Sequence, residues 1–227
     1  MRCCVIQLTQ NCQKYYENDF PLIFKAFRTA LGANVEWFFI ENDSVDKTST
    51  YAAKYGHVLS ISLPKIVSLA SRCTSRTDRM SFLRNKALQW VNQFGSYDYY
   101  IWLDTNVKCN VACIKKLYQT ISSDVSIGLA GANTLEIGRA YHYYDTYALD
   151  STSCLWKQCH VCNGPHSKTD IVDVKSAFGG LCFIRGDIQC TFAATFNQCE
   201  HIYMCTKLRE KGYRIVIVGP AEASWKN

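Results

Sequence analysis

Side chains able to hold a metal ion or a phosphate recur directly after apolar runs in this chain. Thr9-Gln10-Asn11 follows Cys3 to Leu8, Glu41-Asn42-Asp43-Ser44-Val45-Asp46 follows Val35 to Ile40, and Asp104-Thr105-Asn106 follows Tyr99 to Leu103. A carboxylate and a side-chain carbonyl one residue apart, as in Asp104 and Asn106, offer the oxygen ligands that Mg²⁺ or Mn²⁺ prefers, with positions left for phosphate oxygens. Asn106 adds no charge, so an ion there is held less tightly than by two carboxylates. Asp104 has a second reading, as a cap for the turn after its strand.

Positive charge is just as concentrated. Lys65, Arg72, Arg76, Arg79, Arg84 and Lys86 stand against one acid, Asp78, so residues 65–86 hold +5 of the formal +6. A basic cluster without interspersed Glu calls for an anion, phosphate in the first place. On a helical wheel Arg84 flanks the stripe of Met80, Leu83 and Ala87, so it needs a partner: a carboxylate such as Asp104, or a diphosphate oxygen. Glu200 and Asp145 are the carboxylates available to take a proton, although Glu200 also suits a helix start through the macrodipole. Gly179-Gly180 permits either close approach of a ligand to backbone or a tight bend. Cys154, Cys159, Cys162 and His166 form C-x4-C-x2-C-x3-H, which zinc would accept and which thirteen cysteines also produce by chance.

The elements that must position these groups alternate. Strands are expected at Cys3 to Thr9, Val35 to Glu41, Val58 to Leu63 and Tyr99 to Leu103, with helices at Leu22 to Leu31, Thr48 to Tyr55 and Thr77 to Phe94. Downstream, helices at Ala112 to Ile121 and Glu200 to Lys211 alternate with strands at Ser126 to Ala130, Val174 to Ile184 and Arg214 to Val218, around an irregular stretch from Leu149 to Asp173. This order predicts an α/β layer, doubly wound, with a mostly parallel central sheet and helices on both faces. Its ligand site then lies beyond the carboxyl ends of the strands.

Composition bounds the rest. With 227 residues, 48% hydrophobic and 19% charged, one domain spanning 1–227 is expected. No apolar run reaches the roughly 18 residues of a membrane span, and the Met1-Arg2 start with its short apolar run does not suit a secretory signal. Mostly reduced thiols and a cytoplasmic protein follow as expectations. No G-x-G-x-x-G follows the first strand and no G-x-x-x-x-G-K-[ST] occurs, which argues against a Rossmann dehydrogenase or a P-loop enzyme.

Three segments then carry a resemblance. Phe38-Phe39-Ile40-Glu41-Asn42-Asp43-Ser44-Val45-Asp46-Lys47-Thr48 resembles the second-strand turn of GT-A glycosyltransferases, Tyr99 to Val107 their apolar strand ending in a D-x-D metal motif, and Arg79 to Ala87 their R-x-x-x-x-R-N-x-A helix. Tyr143 to Leu149, Ser176 to Gly180 and Cys199-Glu200-His201 resemble motifs of the capsule-associated mannosyltransferase group of fungi and of single-domain glycosyltransferases of large DNA viruses. A viral member would act in the host cytoplasm.

The resemblance implies a GT-A-like fold and a metal-assisted hexosyltransferase, moving a sugar from a nucleoside diphosphate sugar, UDP favoured, to a glycan or glycoside acceptor. Its donor half, about residues 1–107, would bind the nucleotide sugar through Thr9, Asn11, Glu41, Asp43, Ser44, Arg76, Arg79, Arg84, Asn85, Asp104 and Thr105. Mn²⁺ or Mg²⁺ would sit on Asp104, Asn106 and His201. In the acceptor half, about 108–227, Tyr144, Asp145, Gly179 and Gly180 would hold sugar, with Glu200 and Asp145 catalytic. The alternatives are a sugar-phosphate nucleotidyltransferase, disfavoured by the missing Gly-rich loop, and a basic nucleic-acid-binding module with a Cys/His knuckle, disfavoured because the charge sits on an amphipathic helix.

Overall fold

The computed structural model describes residues 1–63, 74–136, 145, 148, 170–193 and 199–225. Tyr144 and the Cys154, Cys159, Cys162 and His166 set lie outside the described residues, as do Lys65 and Arg72. Nine strands form one sheet: β1 (Cys3–Thr9), β2 (Val35–Asn42), β3 (His57–Ile61), β4 (Tyr99–Leu103), β5 (Val107–Lys108), β6 (Ile127–Glu136), β7 (Ile171–Val174), β8 (Leu181–Arg185) and β9 (Arg214–Trp225). Around it lie α1 (Gln13–Asn18), α2 (Phe20–Leu31), α3 (Thr48–Ala52), α4 (Thr74–Val91), α5 (Val111–Ser123) and α6 (Glu200–Glu210). The strand order is β3-β2-β1-β4-β8-β6-β9-β5, with β7 pairing β9.

The expectation of a mostly parallel sheet is corrected. β1 pairs parallel with β2 and β4, β2 with β3, and β6 with β9, but β4–β8, β6–β8, β5–β9 and β7–β9 are antiparallel. The change of direction falls at the Gly179-Gly180 turn: helical crossovers link the first four strands, whereas β8 is entered from that turn and runs back between β4 and β6. β9 runs on to Trp225, well past the expected Val218, because a register shift at Ala132/Asn133 lets it follow β6 to its end.

Period-two alternation divides the core in two. Cys3, Val5, Trp37, Phe39, Ile101 and Leu103 pack with α2 and α5 on one face, while Cys4, Ile6, Phe38, Ile40, Tyr100 and Trp102 pack with α4 and α6 on the other. Both faces are covered, which is why these strands read as unbroken apolar runs. Helix α4 buries Leu83, Ala87 and Val91 as its pattern demands, but toward its start the buried face also contains Thr77, Ser81 and Arg84. Of these the Arg84 side chain has a buried partner, whereas the Ser81 hydroxyl has none among the described residues.

The approach of two segments at the amino end of β4 depends on a glycine. A Cβ on Gly186 would meet the Tyr97 carbonyl oxygen at 1.6 Å, against backbone that cannot swing aside. Gly186→Ala is therefore expected to cost at least the ~1–3 kcal/mol of an overpacked core, read as a lowered urea midpoint with unchanged slope.

Candidate active site

At the carboxyl ends of β1 and β2 two loops are latched together. Asn11 and Asp43 both take left-handed backbone angles, φ 51° and 52°, which Asn and Asp tolerate better than most residues. The Asn11 amide donates to the Ser44 hydroxyl at 3.0 Å, and the Asn11 side-chain carbonyl accepts from the Val45 amide at 2.9 Å. Glu41 Oε1 accepts from the Ser44 amide at 2.8 Å. Asp46 accepts from the Gln13 and Thr48 amides at 3.1 and 2.9 Å, and Thr48 accepts from the Cys12 amide at 2.7 Å. The S-x-D-x-T spacing thus builds an Asx-type entry to α3 that grips the start of α1. Asp43 faces the other way: its carboxylate accepts from Arg79 at 3.0 Å and from the Leu63 amide at 3.2 Å.

Behind this edge Arg84 is paired with Glu200. Arg84 Nε donates to Glu200 Oε1 at 3.0 Å, and each side chain is 4% exposed. The guanidinium lies 5.0 Å from the Trp102 ring, 4.9 Å from Phe178 and 5.7 Å from Phe192, so its charge is desolvated against three aromatic faces. The carboxylate partner is Glu200, where the sequence had offered Asp104 or a diphosphate. Asn85 takes no outward role either. Its amide donates to the Phe192 carbonyl at 2.7 Å and its carbonyl accepts from the Phe192 amide at 2.9 Å, which anchors Phe192 against Trp102 and His201.

Asp104 ends β4 and is pinned through its backbone, since its amide donates to the Gly180 carbonyl at 2.7 Å. Gly179 and Gly180 take φ 68° and 67°, a paired left-handed turn that side chains disfavour. The same turn holds Asp145, whose two oxygens accept from the Gly179 and Ala148 amides at 3.2 Å each. One glycine pair therefore positions both carboxylates.

Their electrostatics are coupled. Burial pushes Asp104 up to about 7, opposed by Arg84 and reinforced by Asp145 and Glu200, with Arg76 also opposing. Burial likewise pushes Asp145 up to about 6, against the two backbone amides that favour its charge. Glu200 goes the other way. Burial opposes its ionisation, but neighbouring positive charge, His201 only when protonated and Arg84 at every pH, outweighs it and holds the carboxyl down to about 2. Burial and the adjacent Arg84 push His201 down to about 3, so it is a neutral imidazole at neutral pH. It stacks on Phe178 at 4.0 Å, and neither ring nitrogen has a hydrogen-bond partner.

Among the described residues, Cys199, Glu200 and His201 form a cluster whose possible ligand atoms lie within 4.8 Å of one another. Two of them are poor candidates for holding an ion. Burial pushes the Cys199 thiol well up, and Glu200 is engaged by Arg84. The imidazole is different: a neutral ring with unpartnered nitrogens is the form in which histidine ligates a metal.

The folded chain thus brings Arg84, Asp104, Asp145, Glu200 and His201 into one electrostatic neighbourhood, with Arg76 acting on Asp104 from the start of α4. Thr9 is buried at the end of β1, Thr105 is half-buried, and Asn106 is exposed at the β4–β5 turn. Asn11, Ser44 and Glu41 serve the latch. Asp46, Thr48 and Phe178 stand in motifs that carry the resemblance without a role of their own, and Phe192 is not singled out by the sequence. The first two carried a usable signal, Asp two residues before Thr at a helix entry, whereas the aromatic pair is assembled from segments far apart in the chain.

No family model matches this chain, and no curated protein matches it by sequence. Solved structures do resemble it. It superposes on S. aureus TarS 1–349 in complex with UDP with a TM-score of 0.61 at 13% identity, covering 100% of this chain and 61% of that one. A mannosyltransferase from Pyrobaculum calidifontis in complex with GDP-Man and Mn²⁺ gives 0.58 at 12% identity, covering 98% and 56%. GalNAc-T7 with UDP, GalNAc and Mn²⁺ gives 0.64 at 16% identity, covering 100% and 43%. The fold is therefore that of GT-A glycosyltransferases, and the chain spans about 60% of the TarS fragment's length or less of the other two. No helix among the described residues is long and apolar enough to cross a membrane.

Proposed function

We propose that the chain is a metal-assisted glycosyltransferase that moves a hexose from a nucleoside diphosphate sugar to a glycan or glycoside acceptor. The observation that carries this reading is the carboxylate cluster at the end of β4. Asp104, Asp145 and Glu200 stand with Arg84 as their one buried cationic partner, in a sheet of GT-A fold. Such a negative surplus favours a divalent cation, and Asp104 with the unpartnered His201 imidazole supplies oxygen and nitrogen ligands, Asn106 a neutral oxygen. When bound, Mn²⁺ or Mg²⁺ offsets charge developing on the departing diphosphate. UDP is the favoured donor nucleotide, since TarS and GalNAc-T7 were both solved with it. On its motif order we place the chain beside the capsule-associated mannosyltransferases and the single-domain enzymes of large DNA viruses.

The chain's own residues divide the work. Arg79 and Arg76, on the first turns of α4, face the edge where a diphosphate would lie, and Arg79 is held there by Asp43. If these contacts are to phosphate, Arg79→Ala weakens UDP binding about tenfold or more and uridine binding little. Calorimetric titration of both ligands checks this, and equal losses would make Arg79 structural.

Of the two candidate bases, Asp145 suits the role better than Glu200. A general base works best with its pKa near the working pH, and Asp145 lies close to that range whereas Glu200 is locked to Arg84. Asp145 would take the acceptor hydroxyl proton in an inverting transfer. The base form of a raised carboxyl fills as pH rises, so kcat/KM should climb through about pH 6 and then level. Asp145→Asn should lower kcat by about 10²-fold or more and flatten that limb. A retained anomeric configuration by NMR, or an unchanged acid limb in the variant, would remove the assignment.

A further inference from the structure

A second cavity lies apart from this edge, on the α4 and α6 face of the sheet. We propose that it binds a neutral, hydroxyl-rich ligand, a saccharide unit, independently of any nucleotide. The cleft encloses about 410 Å³ between α4, β4, β8 and the loop 186–191, within the ~300–1,000 Å³ of small-molecule sites. Among the described residues no Asp, Glu, Lys, Arg or His lines it, in a chain with a formal charge of +6. Neighbouring cations are committed elsewhere: Arg84 lies over Trp102 and pairs with Glu200, Arg185 pairs with Asp187, and Lys211 donates to the Gln189 carbonyl at 3.3 Å.

Amide, hydroxyl and aromatic groups share the lining with the apolar Leu88, Ile184, Ile188 and Cys190. Gln89 makes no hydrogen bond among the described residues, and the Asn92 carbonyl accepts from the Tyr100 hydroxyl at 2.6 Å, which leaves its NH₂ as a donor. Thr191 adds a hydroxyl at the rim. Trp102 lies in the wall, 1% exposed. Mixed donors and acceptors without charge match sugar hydroxyls, each of which both donates and accepts. An ionic ligand would lose its hydration with no counter-charge gained, and a purely apolar one would strand the amides.

Arg84, Asp104, Asp145, Glu200 and His201 do not line the cleft, so a ligand there need not displace one at the donor edge. The proposal therefore does not rest on the transferase reading.

Saturation-transfer NMR on the full chain tests it, with methyl glucoside, N-acetylglucosamine, lactose and mannobiose at millimolar concentration. Glucose 6-phosphate and uridine serve as the charged and the nucleoside comparisons. The expected result is a response to at least one neutral saccharide that survives saturating UDP and weakens about tenfold in Gln89→Trp, which fills the cleft from an exposed helix position without moving the melting temperature. Gln89→Leu, which removes the amide and adds no bulk, should weaken it in the same direction if the larger substitution unfolds the chain. Silence with every neutral saccharide, a response only to the phosphate or to uridine, or full binding by both Gln89 variants would overturn the proposal. Because UDP is absent from the first titration, failure here is read separately from failure of donor binding.

Discussion

Glu200→Gln is expected to cost about 3–5 kcal/mol of folding stability, because it leaves the Arg84 guanidinium buried among three aromatic rings without a counter-charge. That would halve or erase the margin of an ordinary domain. The sign with pH follows from the depressed carboxyl. Glu200 contributes stability that is complete above its unfolded value of 4.5 and is lost as pH falls toward about 2. Across that window the urea midpoint should fall with acid in the wild type and fall less in Glu200→Gln. Replacing both partners, as Arg84→Met with Glu200→Leu, should recover most of the loss, since two apolar side chains leave nothing unpaired. If Glu200→Gln instead folds with unchanged stability and only turnover falls, Glu200 is the base and Asp145 is not.

This inversion of roles could not be read from the sequence. Glu200 and Arg84 are 116 residues apart, and nothing in either local pattern ties them together. The bond from the Asn85 amide to the Phe192 backbone is equally hidden, since 107 residues separate the two. By contrast β1, β2 and β4 were legible almost to the residue, because strands buried on both faces leave unbroken apolar runs. The polar residues behind them marked the edge where the site lies. The antiparallel half was illegible for the converse reason: β8 alone, bounded by a glycine turn, gives no sign of which neighbour it will join or in which direction. The short α1 was hidden by its length and by having no cap among its own side chains.

Asp104→Ala carries the largest expected effect on function. Asp104 follows the central strand with its backbone amide bonded to the Gly180 carbonyl, and its removal takes away the one charged ligand in the proposed Asp104, Asn106 and His201 set. Metal-dependent stabilisation of a departing diphosphate is worth several kcal/mol, so transfer should fall roughly 10³-fold or more. Folding should not suffer, because burial already disfavours the charged form of Asp104. Asn106→Asp is the matching gain, tighter Mn²⁺ binding through a second carboxylate. Melting curves separate a lost site from a lost fold, and a fully active Asp104→Ala enzyme would remove this residue from the mechanism.

The most direct test of the account is nucleotide release. Incubated with UDP-linked and GDP-linked hexoses in turn, with Mn²⁺ and a mixed glycan acceptor, the wild-type chain should liberate the nucleoside diphosphate from at least one donor. That release should require the metal, and the Asp104→Ala chain should give none above background. A folded wild-type chain that releases no nucleotide from any donor, and whose melting temperature no nucleoside diphosphate raises with or without Mn²⁺, would contradict the assignment of this edge as a glycosyl-transfer site.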